Sequence, residues 1–170
     1  MRQDRMGERQ PFMGGGDMIR EVSREFVSYN DSPHKFEAGT PSIVEAIGFG
    51  VALEYLMKIG MADIQKHESK LKVYAEKEFE NLDWLETQGN APDKGAIFSF
   101  TMQGAAHAHD ISTIVDRRGI AVRAGHHCAQ PLMEHLGLNA TCRASFGMYN
   151  STEEIDQLTS SLEFAYELLG

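Results

Sequence analysis

Between residues 40 and 60 the chain reads "TPSIVEAIGFGVALEYLMKIG", a stretch with helical punctuation at both ends and very little polar surface between them. Thr40 before Pro41 fits an N-cap followed by proline at the first helical position, and Ser42 with Glu45 has capping-box spacing, shifted by two. Gly60 is a C-terminal stop. Ile43, Ile47, Val51, Leu53 and Leu56 leave so little room for a solvated face that the pattern predicts a largely buried helix. A helix of that kind requires other layers to cover it.

The following residues supply candidate layers. From about 62 to 82, Ile64, Leu71, Ala75, Phe79 and Leu82 form one stripe, with "KHESK" and "EKE" on the other faces, which predicts an amphipathic surface helix. "DWLETQG" and "AIFSFTM" read as paired strands across the turn chemistry of "NAPDKG". His109 or Asp110 opens a helix with Ile111, Ile114 and Val115 inside, and Arg117, Arg118 and Gly119 end it. "IAVRA" reads as a strand, "PLMEHLG" as a short helix and "TCRASF" as another strand. Ser151 with Glu154 caps a last helix with Ile155, Leu158, Leu162 and Ala165 inside. The order predicts an α+β fold, a small sheet flanked by helices. Ahead of Thr40 the chain reads poorly as an independent unit, and three successive glycines in "PFMGGGDMI" need something to lean on.

At 170 residues and 42% apolar content the chain is expected to be globular. No run approaches the roughly 18 apolar residues of a membrane span, and "MRQDRMGERQPF" lacks a secretory core, so the expected compartment is the cytoplasm. A formal charge of -9 without a basic run argues against nucleic acid as a partner. The two cysteines, Cys128 and Cys142, are expected to be reduced thiols.

Cys128 stands in "RAGHHCAQP", in a loop between a strand and a helix. It is a candidate nucleophile, because adjacent histidines or a helix N-terminus lower a thiol pKa; a buried inert cysteine is the other reading. A zinc site is less favoured, since three contiguous side chains do not converge on one tetrahedral centre, and no metal is expected. Cys142, in an apolar strand, reads as packing. Arg143 follows it and points to the opposite face, where a guanidinium suits a carboxylate or is simply solvated. Thr40, at a helix start, is an anion site or a plain N-cap. His107 and His109 read as solvated, or as facing a partner.

Together "PFMGGGDMI", "HKFEAGTPSI", "AIGFGVALEYL", "HAHDIS", "GIAVRAGHHCAQPLM" and "RASFGMYNSTEEID" resemble the C-terminal part of a SUF-type (group II) cysteine desulfurase, of the aminotransferase class V, fold type I group. The resemblance runs over nearly the whole chain from Pro11. It implies a homodimeric enzyme that uses pyridoxal 5'-phosphate, takes sulfur from L-cysteine as a persulfide, releases L-alanine and passes the sulfur to a small acceptor protein of the SUF system for iron–sulfur cluster assembly. It makes Cys128 the nucleophile, Arg143 the clamp for the substrate carboxylate, Arg123 a second active-site cation, and Thr40 a contact to the cofactor phosphate across the dimer interface.

The same resemblance implies what this sequence lacks. The family's cofactor loop is a Ser-x-His-Lys-type segment whose lysine forms the Schiff base; the only such spacing here ends at Lys35, which belongs to "HKFEAGTP" and lacks the Gly-Pro continuation of that loop, so the Schiff-base lysine is expected to be absent. Residues 1–40 are then expected to be a remnant of the large cofactor-binding domain and crossover, and residues 41–170 the C-terminal domain carrying the cysteine loop. The chain alone is expected to be inactive. A non-catalytic dimerisation or persulfide-carrier module and a selenocysteine lyase are the alternative functions.

Overall fold

A computed structural model describes residues 3–104 and 107–169. The first two residues of the polar N-terminal stretch therefore lie outside the described residues. Backbone contacts divide the chain into two units, Met1–Lys58 and Ile59–Gly170. All but the last residue of the long apolar helix falls in the first of these units.

In that unit a short helix α1 (Gln3–Met6) precedes a hairpin of β1 (Ile19–Val22) and β2 (Val27–Tyr29). Ser23 closes the hairpin, its Oγ accepting the backbone N–H groups of Glu25 and Phe26, both at 3.1 Å. The three glycines do lean on something. A Cβ on Gly15 would stand 2.8 Å from Ala38 Cβ, and the Gly39 N–H donates to Gly16 O at 2.8 Å, so the glycines let two backbones lie together.

Helix α2 spans Ile43–Ile59 and corrects two expectations. Its first intrahelical bond runs from Ala46 N–H to Ser42 O, which makes Ser42, not Thr40, the cap residue. None of its residues is buried; Val44 is 79% exposed and Met57 75%. The physical reason is the pattern itself: the apolar residues run right round the helix, so no single neighbouring layer can cover them, and a two-stranded hairpin is too small to enclose a helix.

The second unit follows the expected element order. Helix α3 (Met61–Glu80) starts after Gly60, whose φ is 98°, and buries Ile64, Leu71, Ala75 and Phe79. The strands β3 (Leu85–Gln88), β4 (Ile97–Met102), β5 (Arg123–Gly125) and β6 (Thr141–Ser145) form one antiparallel sheet in the order β3-β4-β6-β5. Alternation along β4 sends Phe98, Phe100 and Met102 into the core, where Phe98 meets Phe79 edge to face at 5.2 Å. Each such burial contributes roughly 1.5–3 kcal/mol. Helices α3, α4 (Ala108–Asp116) and α6 (Thr152–Leu169) supply the rest of that core through Leu71, Ile111, Val115, Ile155 and Leu162.

Two boundaries move. Helix α4 begins before His109, because His107 is its cap and accepts the His109 N–H on Nδ1 at 3.3 Å. Strand β5 begins at Arg123, not at Ile120: Ile120 N–H still belongs to the end of α4, donating to Val115 O, and β6 offers pairing only to residues 123–125. Helix α5 (Gln130–Leu136) ends at Gly137 in the left-handed region with φ 69°. The expected cap of α6 forms, with the Ser151 N–H donating to Glu154 Oε2 at 3.0 Å.

Candidate functional site

The face of the sheet opposite the core carries the candidate residues. Arg123 on β5 and Arg143 on β6 are direct cross-strand partners, so both side chains rise on one face, and Ser99 of β4 lies opposite Arg143 on the other side. Two cations directly opposed across a ladder repel, and among the described residues neither has a carboxylate within ion-pair distance. Arg143 is half-buried, and its Nε is shielded from solvent without a hydrogen-bond partner among the described residues. An unpaired buried donor is destabilising by about 1–3 kcal/mol. A carboxylate resolves both problems, because it accepts from Nε and an adjacent Nη in one plane and neutralises the pair.

Cys142, between Thr141 and Arg143, faces the other way and is fully buried, as packing requires. Its thiol donates to Ala108 O at 3.1 Å, and burial, partly offset by a backbone hydrogen bond from Ser112, pushes its pKa up from 9.0 to about 12. Cys128 is the contrasting thiol: free and exposed.

The loop presenting Cys128 is a tight turn. The Ala129 N–H donates to His126 O at 2.9 Å, and the two central residues, His127 and Cys128, have φ of 54° and 57°. Positive φ at both centres marks a type I′ turn, which normally takes Asn or Gly. For two ordinary side chains this backbone costs roughly 1–3 kcal/mol each. The opposing contribution comes from His127, whose Nε2 lies 3.1 Å from Thr141 O and 2.9 Å from Thr141 Oγ1. A protonated Nε2 donates to that carbonyl, whereas the hydroxyl can pair with either tautomer. Nδ1 is buried with no partner among the described residues. Burial lowers the His127 pKa, a hydrogen bond with the Thr141 backbone opposes that, and the charges of Arg143 and Arg123 lower it further, all but the backbone bond favouring the neutral ring.

The structure thus gathers Arg123, Arg143 and the Cys128 loop in one unit, at the β5–β6 end of the sheet. Thr40 lies in the N-terminal unit, exposed, two residues before the Ser42 cap of α2. Lys35, set aside as a Schiff-base lysine, donates through Nζ to Gly7 O at 3.0 Å. His107 and His109 stack at 5.5 Å at the start of α4. The sequence offers His127 only as one of two histidines beside Cys128 and gives Thr141 no role. Two non-glycine residues at the centre of a I′ turn leave no local signature, and the partner threonine is 14 residues away. Among the described residues no group of three His, Cys, Asp or Glu is placed to hold a metal ion, and no helix is long and apolar enough to cross a membrane.

Comparison with known proteins finds relatives over nearly the whole chain. A protein of Xylella fastidiosa named probable cysteine desulfurase is 45% identical over 160 residues, which are 94% of this chain and 38% of the relative. The structure of the cysteine desulfurase CsdA from Escherichia coli, in an S-sulfonic acid form, superposes with a TM-score of 0.90 at 33% identity, covering 99% of this chain and 42% of that one. A C-DES variant with glycine covalently linked to its pyridoxal-phosphate cofactor shares the fold at a TM-score of 0.68 and 19% identity, over 95% of this chain and 40% of that one. The chain therefore spans about two fifths of the length of these relatives, within the fold type I architecture of pyridoxal-phosphate enzymes. With the aminotransferase class-V family model matching residues 1–158 as well, the chain belongs to the aminotransferase class-V family.

Proposed function

We propose that this chain contributes the sulfur-accepting part of a SUF-type cysteine desulfurase serving iron–sulfur cluster assembly in the cytoplasm. The observation that carries the reading is the pairing of an exposed thiol, on a turn tied to β6, with two opposed arginines on that strand pair, one of them holding a buried, unpartnered Nε. That combination suits a small substrate with a carboxylate at one end and a sulfur at the other. Arg143 binds and orients the carboxylate of L-cysteine, and Arg123 holds its second oxygen. The Cys128 thiolate attacks the substrate sulfur, forming an S–S bond as the carbon–sulfur bond breaks; the substrate carbon gains a proton and leaves as L-alanine.

Of the residues present, Thr40 fits the phosphate end of pyridoxal 5'-phosphate: its hydroxyl is exposed beside the start of α2, where backbone N–H groups are free of intrahelical partners. When bound, that group supplies the electron sink for the pair released by carbon–sulfur cleavage. By resemblance the working form is a homodimer in which Thr40 serves the partner's site, and a small SUF-system protein takes the sulfur from Cys128. The Ser-x-His-Lys run at Ser32–Lys35 continues into Phe36-Glu37 rather than the Gly-Pro of the cofactor-lysine loop, and Lys35 Nζ donates to Gly7 O, so in this reading the 170-residue chain by itself does not turn over cysteine.

The test is mass analysis of the purified chain after incubation with a small-molecule persulfide. One added sulfur on Cys128 is expected, abolished by Cys128→Ser; no gain at that residue refutes the proposal. Incubation with pyridoxal 5'-phosphate and L-cysteine should give no alanine beyond that from free cofactor.

A further inference from the structure

We propose that His127 is a positioning residue, an imidazole tied to Thr141 that holds the His126–Ala129 turn in its left-handed form and so keeps the Cys128 thiol beside Arg123 and Arg143. The proposal deepens the desulfurase reading and rests on it for the purpose of that placement, though the geometry is independent of it.

Three observations meet at this residue. First, the turn has a backbone that its own residues disfavour: His127 and Cys128 both carry positive φ where Asn-Gly would be at ease. Something outside the turn must hold it. Second, the only side-chain bonds His127 makes among the described residues are the two to Thr141, a residue with 0% exposure at the start of β6. A partner so enclosed does not move with solvent fluctuations. Third, Thr141 and Arg143 are two apart on one strand and therefore share a face, while Gly125 pairs with Thr141 and Arg123 with Arg143. The imidazole thus spans from the turn to the same face that carries both guanidinium groups. Once this hydrogen bond is lost, the turn relaxes to the negative φ its residues prefer, and the thiol leaves that face.

The role is distinct from catalysis in the strict sense: His127 acts through Cys128, and its ring needs no contact with substrate. It also differs from plain structural support, because the core of the unit is built by other residues and Cys142 on the opposite face reports on that core directly.

The experiment compares alkylation of the two thiols by iodoacetate, an anion, and iodoacetamide, a neutral reagent, in the 170-residue chain. Cations beside a thiol favour the anionic reagent, so the ratio of the two rates at Cys128 measures its nearness to Arg123 and Arg143. The ratio in the folded chain should exceed that of the urea-unfolded chain several-fold. His127→Leu should bring it down to the unfolded value while Cys142 stays unlabelled, and His127→Gln, whose amide N–H can reach Thr141 O, should restore most of it. A Leu variant that keeps the native ratio with Cys142 protected overturns the proposal, as does a native ratio no higher than the unfolded one. Should the Leu variant label Cys142 and thus be unfolded, the unaltered chain decides: long-range proton–nitrogen correlation must find His127 as the neutral Nε2–H tautomer, and an Nδ1–H tautomer overturns the proposal. If the ratio behaves as expected but Cys128 never gains sulfur from a persulfide, the positioning role stands and the desulfurase reading falls.

Discussion

Replacing Arg143 with glutamine should slow sulfur transfer to Cys128 from a donor that carries a carboxylate and leave transfer from one without it nearly unchanged. The guanidinium brings two donors in one plane, Nε and an Nη, and its Nε is buried and unpartnered among the described residues. A hydrogen bond to a charged group contributes about 1.5–3 kcal/mol. Arg123 stands directly opposite and still holds one carboxylate oxygen, so the net loss is of the order of one such bond. At about 1.4 kcal/mol per factor of ten, the expected effect is roughly ten- to a hundredfold. The assay follows the mass gain at Cys128 with cysteine persulfide and, separately, with the persulfide of cysteamine, which has the same amine and thiol spacing and no carboxylate. The thermal midpoint should hold or rise, because removing one of two opposed cations relieves repulsion across the ladder. Equal slowing with both donors, or none with either, would refute carboxylate recognition by this pair.

Three further outcomes follow from the packing. Cys142 keeps its proton in the folded state up to about pH 12 but would lose it near 9.0 when unfolded, so folding stability is intact below 9.0 and falls as pH rises toward 12. The slope is about 1.4 kcal/mol per pH unit; urea unfolding at about pH 8 and about pH 10 should show it, and Cys142→Ala should remove that component. Phe100, with 0% exposure and its ring centre 6.2 Å from that of Phe79, should cost about 3–5 kcal/mol on truncation to alanine, read as a lower denaturant midpoint. Gly15→Ala places a Cβ 2.8 Å from Ala38 Cβ, so the Gly39 amide should lose its protection from hydrogen exchange as its bond to Gly16 O opens.

From Gly60 onward the sequence carries its architecture openly, and the reason is physical. Each helix of the second unit has one apolar stripe and one solvated face, as in α3, and β4 alternates cleanly with Phe98, Phe100 and Met102 inward, so period and partner are both encoded locally. Helix α2 shows where that logic ends. Its residues announce a helix, but apolar character on all sides says only that cover is wanted, and the described residues do not provide it. Composition alone starts strand β5 too early, because "IAVRA" has strand character throughout, whereas pairing is decided by β6 and starts at Arg123. At the site, Cys128 and Arg143 were legible as residue types with a chemistry. The opposition of Arg123 and Arg143 is a matter of register, and the contact from His127 to Thr141 is a matter of tertiary folding; neither leaves a trace in local spacing.

The edge position of β5 gives the opposed arginines a thermodynamic meaning. A three-residue strand at the margin of a sheet is held by few bonds, and here two like charges set abreast pull against those bonds. An anion settling between them acts as mortar for that margin, so ligand occupancy and the order of β5 share one free energy. Saturating carboxylate should stiffen the border of the sheet in proportion to the logarithm of its concentration, and the amides of residues 123–125 should report binding through slower hydrogen exchange.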